Sequence, residues 1–336
     1  MTTSAIIVTF NRKDLVLRCI DSVLNQTHKV ENLVIVDNCS TDGTVRAVIE
    51  KYGNGQFDSQ KEKLLSISVS NGVSVYMYSK SENTGGSGGF HKGMEIAFET
   101  FATDFYWMMD DDGYPTEECL EKLIATSQKK SLDYVMPVSI DIDNHENLSW
   151  ATRKRNGKKT IVYRELKDSW GDILDYVTPF NGVLLTKKCV SEVGYINKDF
   201  FIWGDDYEHF YRCKKAGINP VTLLDAQFYH PAAKVSLVPI CFGIFNLAYS
   251  ASPLRMICLA RNWTYIYLHY DKKIKIPIKF LMYFWLFIFT RRGDFKGFKL
   301  YCQSVKDGFK GDFTRHLRYL GNQEQGDKNE LVEFHK

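Results

Sequence analysis

The chain reads as an α/β protein with a mostly parallel sheet, helices on both faces of it, and a helical C-terminal region. Three observations predict this. Short apolar runs alternate with segments of helical spacing from residue 4 to residue 230. Those runs are mostly apolar, the first of them rich in β-branched residues, as strands covered on both faces are. Beyond Leu237 the pattern changes to long aromatic stretches with helical character and no clear strands, which sets a domain boundary near 235 (1–235 and 236–336).

In chain order, SAIIVTF (4–10) is a buried strand ended by Asn11-Arg12, and Leu15, Ile20, Val23 and Leu24 give helical spacing up to Gln26. NLVIVDN (32–38) is a second strand, and the Ser40-Thr41-Asp42-Gly43 turn caps a helix through about Tyr52. Residues 53–71 are polar and read as a surface insertion. VSVYMYS (73–79) is a third strand, followed by a glycine-rich turn and a helix from about Gly88 to Phe101. DFYWMMD (104–110) is the fourth strand, and a helix over 116–129 and a strand near 134–138 follow it. The stretch 139–178 is less regular. FNGVLLT (180–186) and PVTLLDAQFYH (220–230) read as strands, with short helices at 187–193 and 208–216 between them.

Composition narrows the class. The chain has 336 residues, 44% hydrophobic and 25% charged, ordinary values for a globular protein with a large core. Its net charge of +3 gives no general affinity for nucleic acid. Between Asp271 and Arg318, however, 12 Lys/Arg face 4 Asp/Glu, a local +8 that leaves −5 elsewhere, so an anionic surface partner is expected for this end alone. Eight scattered cysteines with no CxxC spacing point to reduced thiols in a cytosolic setting, and the N-terminus has no secretory pattern. LMYFWLFIFT (281–290) is apolar on all sides with basic flanks, yet falls short of the ~20 residues needed to span a bilayer. It is read as an interfacial helix or, alternatively, as a buried helix of a bundle.

The chemistry concentrates at the predicted strand ends, where parallel sheets bind ligands. These ends carry Thr9 and Arg12, Asp37, Asn83, and Asp110-Asp111-Asp112. Adjacent acids raise one another's pKa unless a cation relieves them, and Asp110 and Asp112 share a side if the chain stays extended. They suit Mn²⁺ or Mg²⁺ bridging to substrate phosphates. Without a ligand the same acids would be a solvated turn, and Asp37 a helix cap. The loop Asn83–Phe90 holds four glycines in five positions and would let a backbone approach an anion closely. About 95 residues after the triple Asp, Asp205-Asp206-Tyr207-Glu208 follows Trp203-Gly204 at a predicted helix start. Asp206 there would take a proton from an attacking alcohol, Glu208 would orient it, and Trp203 would offer a flat face to a sugar. His230, at the end of a strand, would complete a metal shell or serve only structurally.

Together IIVTFNR, VIVDNCSTDGT, ENTGGSGGFHKGM, MMDDDGYP and WGDDYEH resemble, in order and spacing, the GT-A-fold (Rossmann-like) inverting glycosyltransferases of family 2, over about residues 4–230. The likeness is greatest to bacterial galactofuranosyltransferases. The resemblance implies that Thr9, Arg12, Asp37, Asn83, Asp110 and Asp111 line the nucleotide site. It implies further that Asp110, Asp112 and His230 bind the divalent metal, that Asp206 is the base, and that Asp205, Glu208 and Trp203 meet acceptor or donor sugar. Gly204 departs from a common Trp-Asp-Asp order and leaves open which aromatic faces the acceptor. The implied reaction moves galactofuranose from UDP-galactofuranose to a lipid-linked surface glycan of O-antigen or capsule type, at the cytoplasmic membrane face. dTDP-L-rhamnose is the alternative donor. A nucleotidyltransferase would want a glycine-rich phosphate loop after the first strand, which TFNRKDLV lacks, and a non-catalytic glycan-binding protein would tolerate loss of Asp206. The acceptor, its linkage and the oligomeric state are not readable from sequence.

Overall fold

The computed structural model describes residues 1–53, 60–176, 181–232 and 237–322. The chain divides into two compact units: the described residues of Met1–Lys198 with His209–Ala233, and those of Asp199–Glu208 with Lys234–Lys336. The boundary expected near 235 lies outside the described residues.

In the first unit, β1 (Thr3–Thr9), β2 (Asn32–Asp37), β4 (Val73–Ser79) and β5 (Phe105–Asp110) form the parallel heart of the sheet, with β3 (Leu64–Ser70) antiparallel at its edge. β7 (Tyr134–Asp141) and β12 (Val221–His230) pair in parallel, and β11 (Val183–Thr186) joins the two halves as an antiparallel strand. Smaller strands are β6 (Tyr114–Pro115), β8 (Asn147–Arg153), β9 (Lys159–Val162) and β10 (Ile173–Leu174). The order is β10-β12-β7-β11-β5-β1-β2-β4-β3. The expected mostly parallel sheet is thus present. Its strand order reverses between β1 and β5, the kind of switch point where open sheets bind ligands.

Alternation along β1 explains the two covered faces. Ala5 and Ile7 join a core with α1 (Lys13–Leu24), α2 (Thr44–Tyr52) and α4 (Cys119–Lys130), while Ile6 and Val8 join one with α3 (Gly85–Thr100) and α6 (Lys187–Val193). α3 can lie close to β1 because its contact face is glycine. A Cβ at Gly89 would sit 2.4 Å from Val8 Cγ1, and one at Gly93 2.4 Å from Ile6 Cγ2. Much of the glycine-rich motif is therefore a close-packed helix face rather than an open loop, and the helix starts at Gly85, three residues earlier than its spacing predicts.

The less regular stretch 139–178 contains β8, β9, α5 (Tyr163–Trp170) and β10 in its described part, and the expected insertion at 53–71 contains β3. Both were hidden because edge strands alternate polar and apolar residues, unlike the uniformly apolar central ones. α7 (Asp205–Lys215) starts among the residues of the second unit and ends among those of the first. The second unit also holds a hairpin the sequence does not announce, β13 (Leu237–Ile240) with β14 (Phe245–Ala248). Helices α8 (Pro253–His269), α9 (Lys275–Trp285) and α10 (Phe295–Lys310) follow, and α9 continues as a π-helical turn over Leu286–Thr290. Tyr283, Leu286, Phe287 and Tyr301 anchor this unit's main core.

Candidate active site

Register aligns the strand ends: Thr9 lies opposite Asp37, Asp37 opposite Ser79, and Val8 opposite Asp110. At the β1/β5 switch point Asp111 is buried. One of its carboxylate oxygens accepts from Thr9 Oγ1 at 2.6 Å and the other from Arg12 Nη1 at 2.9 Å. Burial raises its pKa, against the opposing pull of Arg12 and Thr9. Asp111 and Thr9, expected to line the nucleotide site, are engaged with each other and position Arg12. Asp37 is likewise buried, and its carboxylate accepts from the Ser40 amide at 3.1 Å, shaping the turn after β2. Asn83 Oδ1 accepts from the Gly85 amide at 2.8 Å and from Asn38 Nδ2 at 3.0 Å, which ties the start of α3 to the end of β2.

The chain turns at Asp111-Asp112, so the two-residue period that would put Asp110 and Asp112 on one side does not apply. The expected metal shell of Asp110, Asp112 and His230 is therefore not preassembled. Among the described residues, no three His, Cys, Asp or Glu side chains gather to hold an ion. Asp112 and His230 do meet. His230 Nε2 is 3.1 Å from Asp112 Oδ1, a buried oxygen with no properly oriented hydrogen bond. Its Nδ1 lies 2.7 Å from the Pro231 carbonyl. An Nδ1–H donating to that carbonyl leaves the Nε2 lone pair facing Asp112, a tautomer fixed as metal-bound imidazoles usually are.

A carboxylate oxygen and an imidazole nitrogen in contact share either a proton on Nε2, which makes them an ion pair, or a cation between them. Neighbouring ligands of an octahedral ion with ~2.1 Å bonds lie roughly 3 Å apart. The pair's spacing would suit a Mn²⁺- or Mg²⁺-type ion, which would supply positive charge at this place. The other Asp112 oxygen accepts from Arg12 Nη1 at 2.8 Å. Although burial alone would raise it, the Asp112 pKa is brought down to about 2 by His230 and Arg12. Part of the charge relief expected from a metal is thus supplied by Arg12.

In the second unit, Phe201, Trp203 and Gly204 all have left-handed φ (66°, 62° and 91°), a strained approach to α7. Buried side chains of α8 hold that loop. Asn262 Nδ2 lies 3.0, 2.9 and 2.7 Å from the carbonyls of Phe200, Ile202 and Trp203, and Arg261 Nη2 donates to Phe200 at 2.9 Å. Trp203 stays exposed. Asp206 is half-buried in the first turn of α7. Its carboxyl is pushed up to about 7, by desolvation first and the Asp205 charge second, against backbone N–H bonds that lower it. Glu208 is buried and accepts from Tyr270 Oη at 3.0 Å. Arg261, Asn262 and Tyr270 escaped the sequence reading because they lie some 55–65 residues from the loop and the acid they hold, in and just after an ordinary aromatic helix.

A sheet with its switch point at a paired carboxylate and imidazole, and a separate half-buried acid whose carboxyl is pushed up, is the framework of a nucleotide-sugar transferase of the GT-A fold. The model of glycosyl transferase family 2 matches residues 4–190, and the chain belongs to that family. It is 28% identical over 321 residues to "Galactofuranosyltransferase GlfT1" of Mycolicibacterium smegmatis, covering 93% of this chain and 97% of the relative. Its identity to the Mycobacterium tuberculosis protein of that name is 28% over 300 residues, 87% and 90% of the two chains. Among solved structures, S. aureus TarS 1-349 in complex with UDP aligns with TM-score 0.51 at 15% identity, over 97% of this chain and 92% of that one. GalNAc-T7 with UDP, GalNAc and Mn²⁺ aligns with TM-score 0.51 at 14% identity, over 69% of this chain. The chain spans 44% of GalNAc-T7 and 44% of a longer TarS structure. At these identities the structural likenesses establish the fold.

Proposed function

We propose that this glycosyltransferase moves a galactofuranosyl unit from UDP-galactofuranose to a hydroxyl of a lipid-linked glycan, with inversion at the anomeric carbon. The observation that carries the reading is the Asp112–His230 pair at the sheet's switch point, in a chain resembling galactofuranosyltransferases along nearly its whole length. A divalent cation held by Asp112 and His230, with Asp110 close in sequence, would neutralise charge on the UDP diphosphate. Arg12, positioned by Asp111 and Thr9, adds fixed positive charge at that place. Asp37 and Asn83 shape the rim for the uridine.

Asp206 removes the acceptor proton as the alcohol attacks from the face opposite UDP, so a single displacement inverts the configuration. A carboxylate with a pKa near neutrality is a stronger base than an ordinary Asp. Glu208 and Asp205 hold sugar hydroxyls and Trp203 stacks on a sugar ring. The enzyme works peripherally on the cytoplasmic face of the membrane, where its acceptor resides, and the glycan formed is of the O-antigen or capsule kind.

The test is a donor panel: UDP-galactofuranose should be hydrolysed and transferred faster than any other nucleotide sugar. Faster turnover of dTDP-L-rhamnose would defeat the choice of donor. A crystal structure with UDP and Mn²⁺ that places Asp112 and Asp206 in separate clefts would defeat the mechanism.

A further inference from the structure

The second unit carries apolar surface that its own core does not use. α9 buries Tyr283 on one side, where its ring stacks on Tyr301 at 4.4 Å. The opposite side presents Ile278 and Leu281 to solvent one turn apart, with Ile274 just before the helix and Leu281 66% exposed. An amphipathic surface helix would be polar there. The tip of the β13–β14 hairpin is of the same kind: Phe242 is 94% exposed and Ile244 71%. Three consecutive left-handed residues, Cys241, Phe242 and Gly243, build that tip, and a bulky aromatic rarely adopts such a φ.

The two elements are joined. Tyr283 Oη donates to the Ala248 carbonyl of β14 at 2.7 Å, and Phe242 packs on Trp285 with ring centroids 5.6 Å apart. Trp285 in turn packs on the exposed Phe289 at 4.5 Å. Cations bracket this surface: Lys272 and Lys273 precede α9, and Arg291 and Arg292 follow Phe289, all exposed.

We propose that the hairpin tip and the outer face of α9 form a docking surface for an anionic lipid bilayer, with Phe242, Ile244, Leu281 and Phe289 entering the headgroup–acyl boundary. Charge complementarity selects this occupant. The cations stand at both ends of the apolar stripe, where a plane of anionic headgroups would meet them, and they belong to the +8 segment of the chain. A projecting aromatic tip suits a fluid surface that closes around it. No helix among the described residues is long and apolar enough to cross a membrane, so the unit lies on the bilayer. The proposal deepens the membrane part of the proposed function and is independent of the donor and the chemistry.

The full chain is sedimented with vesicles of phosphatidylcholine alone and of phosphatidylcholine mixed with phosphatidylglycerol. The wild type should bind the anionic vesicles and scarcely the neutral ones. Phe242→Asp combined with Leu281→Asp should weaken binding at least tenfold, and Lys272→Glu with Lys273→Glu should remove the preference for phosphatidylglycerol. Both pairs are exposed, so thermal midpoints and donor hydrolysis in solution should stay at wild-type values; if hydrolysis is absent in the wild type, that is a failure of the transferase reading and leaves the vesicle result standing. Binding equal in wild type and variants, or no binding to anionic vesicles, overturns the proposal. So does wild-type self-association by sedimentation velocity that Phe242→Asp with Leu281→Asp abolishes, which would make the surface a contact between copies.

Discussion

A carboxyl held near neutral pKa works against folding and for catalysis, and Asp206 makes both effects measurable. Its unfolded pKa is about 3.9, against about 7 in the fold. Between these values the native state keeps a proton that the unfolded chain releases, so stability falls as pH rises and the penalty is complete above pH 7. Asp206→Asn should therefore raise the thermal midpoint at pH 8 much more than at pH 5, while transfer collapses and UDP binding survives. Equal gains at both pH values would place the raised pKa elsewhere. By the same pKa, the wild-type rate should climb with pH through about 7, because only the deprotonated carboxylate accepts the acceptor's proton. His230→Ala removes the nitrogen that meets Asp112. UDP affinity measured calorimetrically should then lose its dependence on Mn²⁺, whereas a purely structural histidine would leave that dependence intact. Asn262→Ala strands three carbonyls of the Trp203 loop, at a cost of about 1–3 kcal/mol. It should lower kcat well before it changes the KM for donor, as expected of a residue that positions the proposed base and touches no nucleotide.

At the scale of elements, α3 shows how one motif carries two meanings. Its glycines were legible as a place where something comes close, and the close neighbour in this structure is β1. Gly93→Val would push a methyl into Ile6 and Val36. Overpacking costs about 1–3 kcal/mol, more than the roughly half a kcal/mol of helix propensity that Val gains over Gly. The thermal midpoint should drop, and UDP affinity with it, because Asn83 is tied to the first turn of this helix. Unchanged affinity with a lowered midpoint would separate the helix from the nucleotide rim. The central strands were readable because both their faces are covered and most of their residues are apolar. β3, β8 and β9 were not, since one face of each meets water and their alternation resembles loop composition. Site acids at strand ends were readable from position alone. What fixes their geometry was not: the turn at Asp111-Asp112, the tautomer of His230 and the Asn262 clamp depend on contacts between residues distant in the chain.

For the whole molecule the uneven charge sets the condition under which it would meet the proposed lipid-linked acceptor. The segment Asp271–Arg318 carries +8 and the rest −5, so the chain has one end drawn to anionic surfaces and a remainder repelled by them. Each Lys or Arg near such a surface contributes about 1 kcal/mol. Screening shortens the reach of these charges from ~10 Å at 0.1 M salt to ~3 Å at 1 M. Apolar insertion by Phe242 and Leu281 gains nothing from the charge and is not weakened by sodium chloride, so some binding should persist. The electrostatic share should still dominate the change. Transfer to a lipid-linked acceptor embedded in anionic vesicles is expected to fall by roughly tenfold or more across that salt range. Transfer to a water-soluble glycan acceptor should stay within about twofold, since the acids and cations at the buried ends of the strands are screened far less. Initial rates on the two acceptors, measured side by side as salt is raised, check this. Parallel declines would mean that salt acts on the active site itself and that the basic end plays no part in reaching the acceptor.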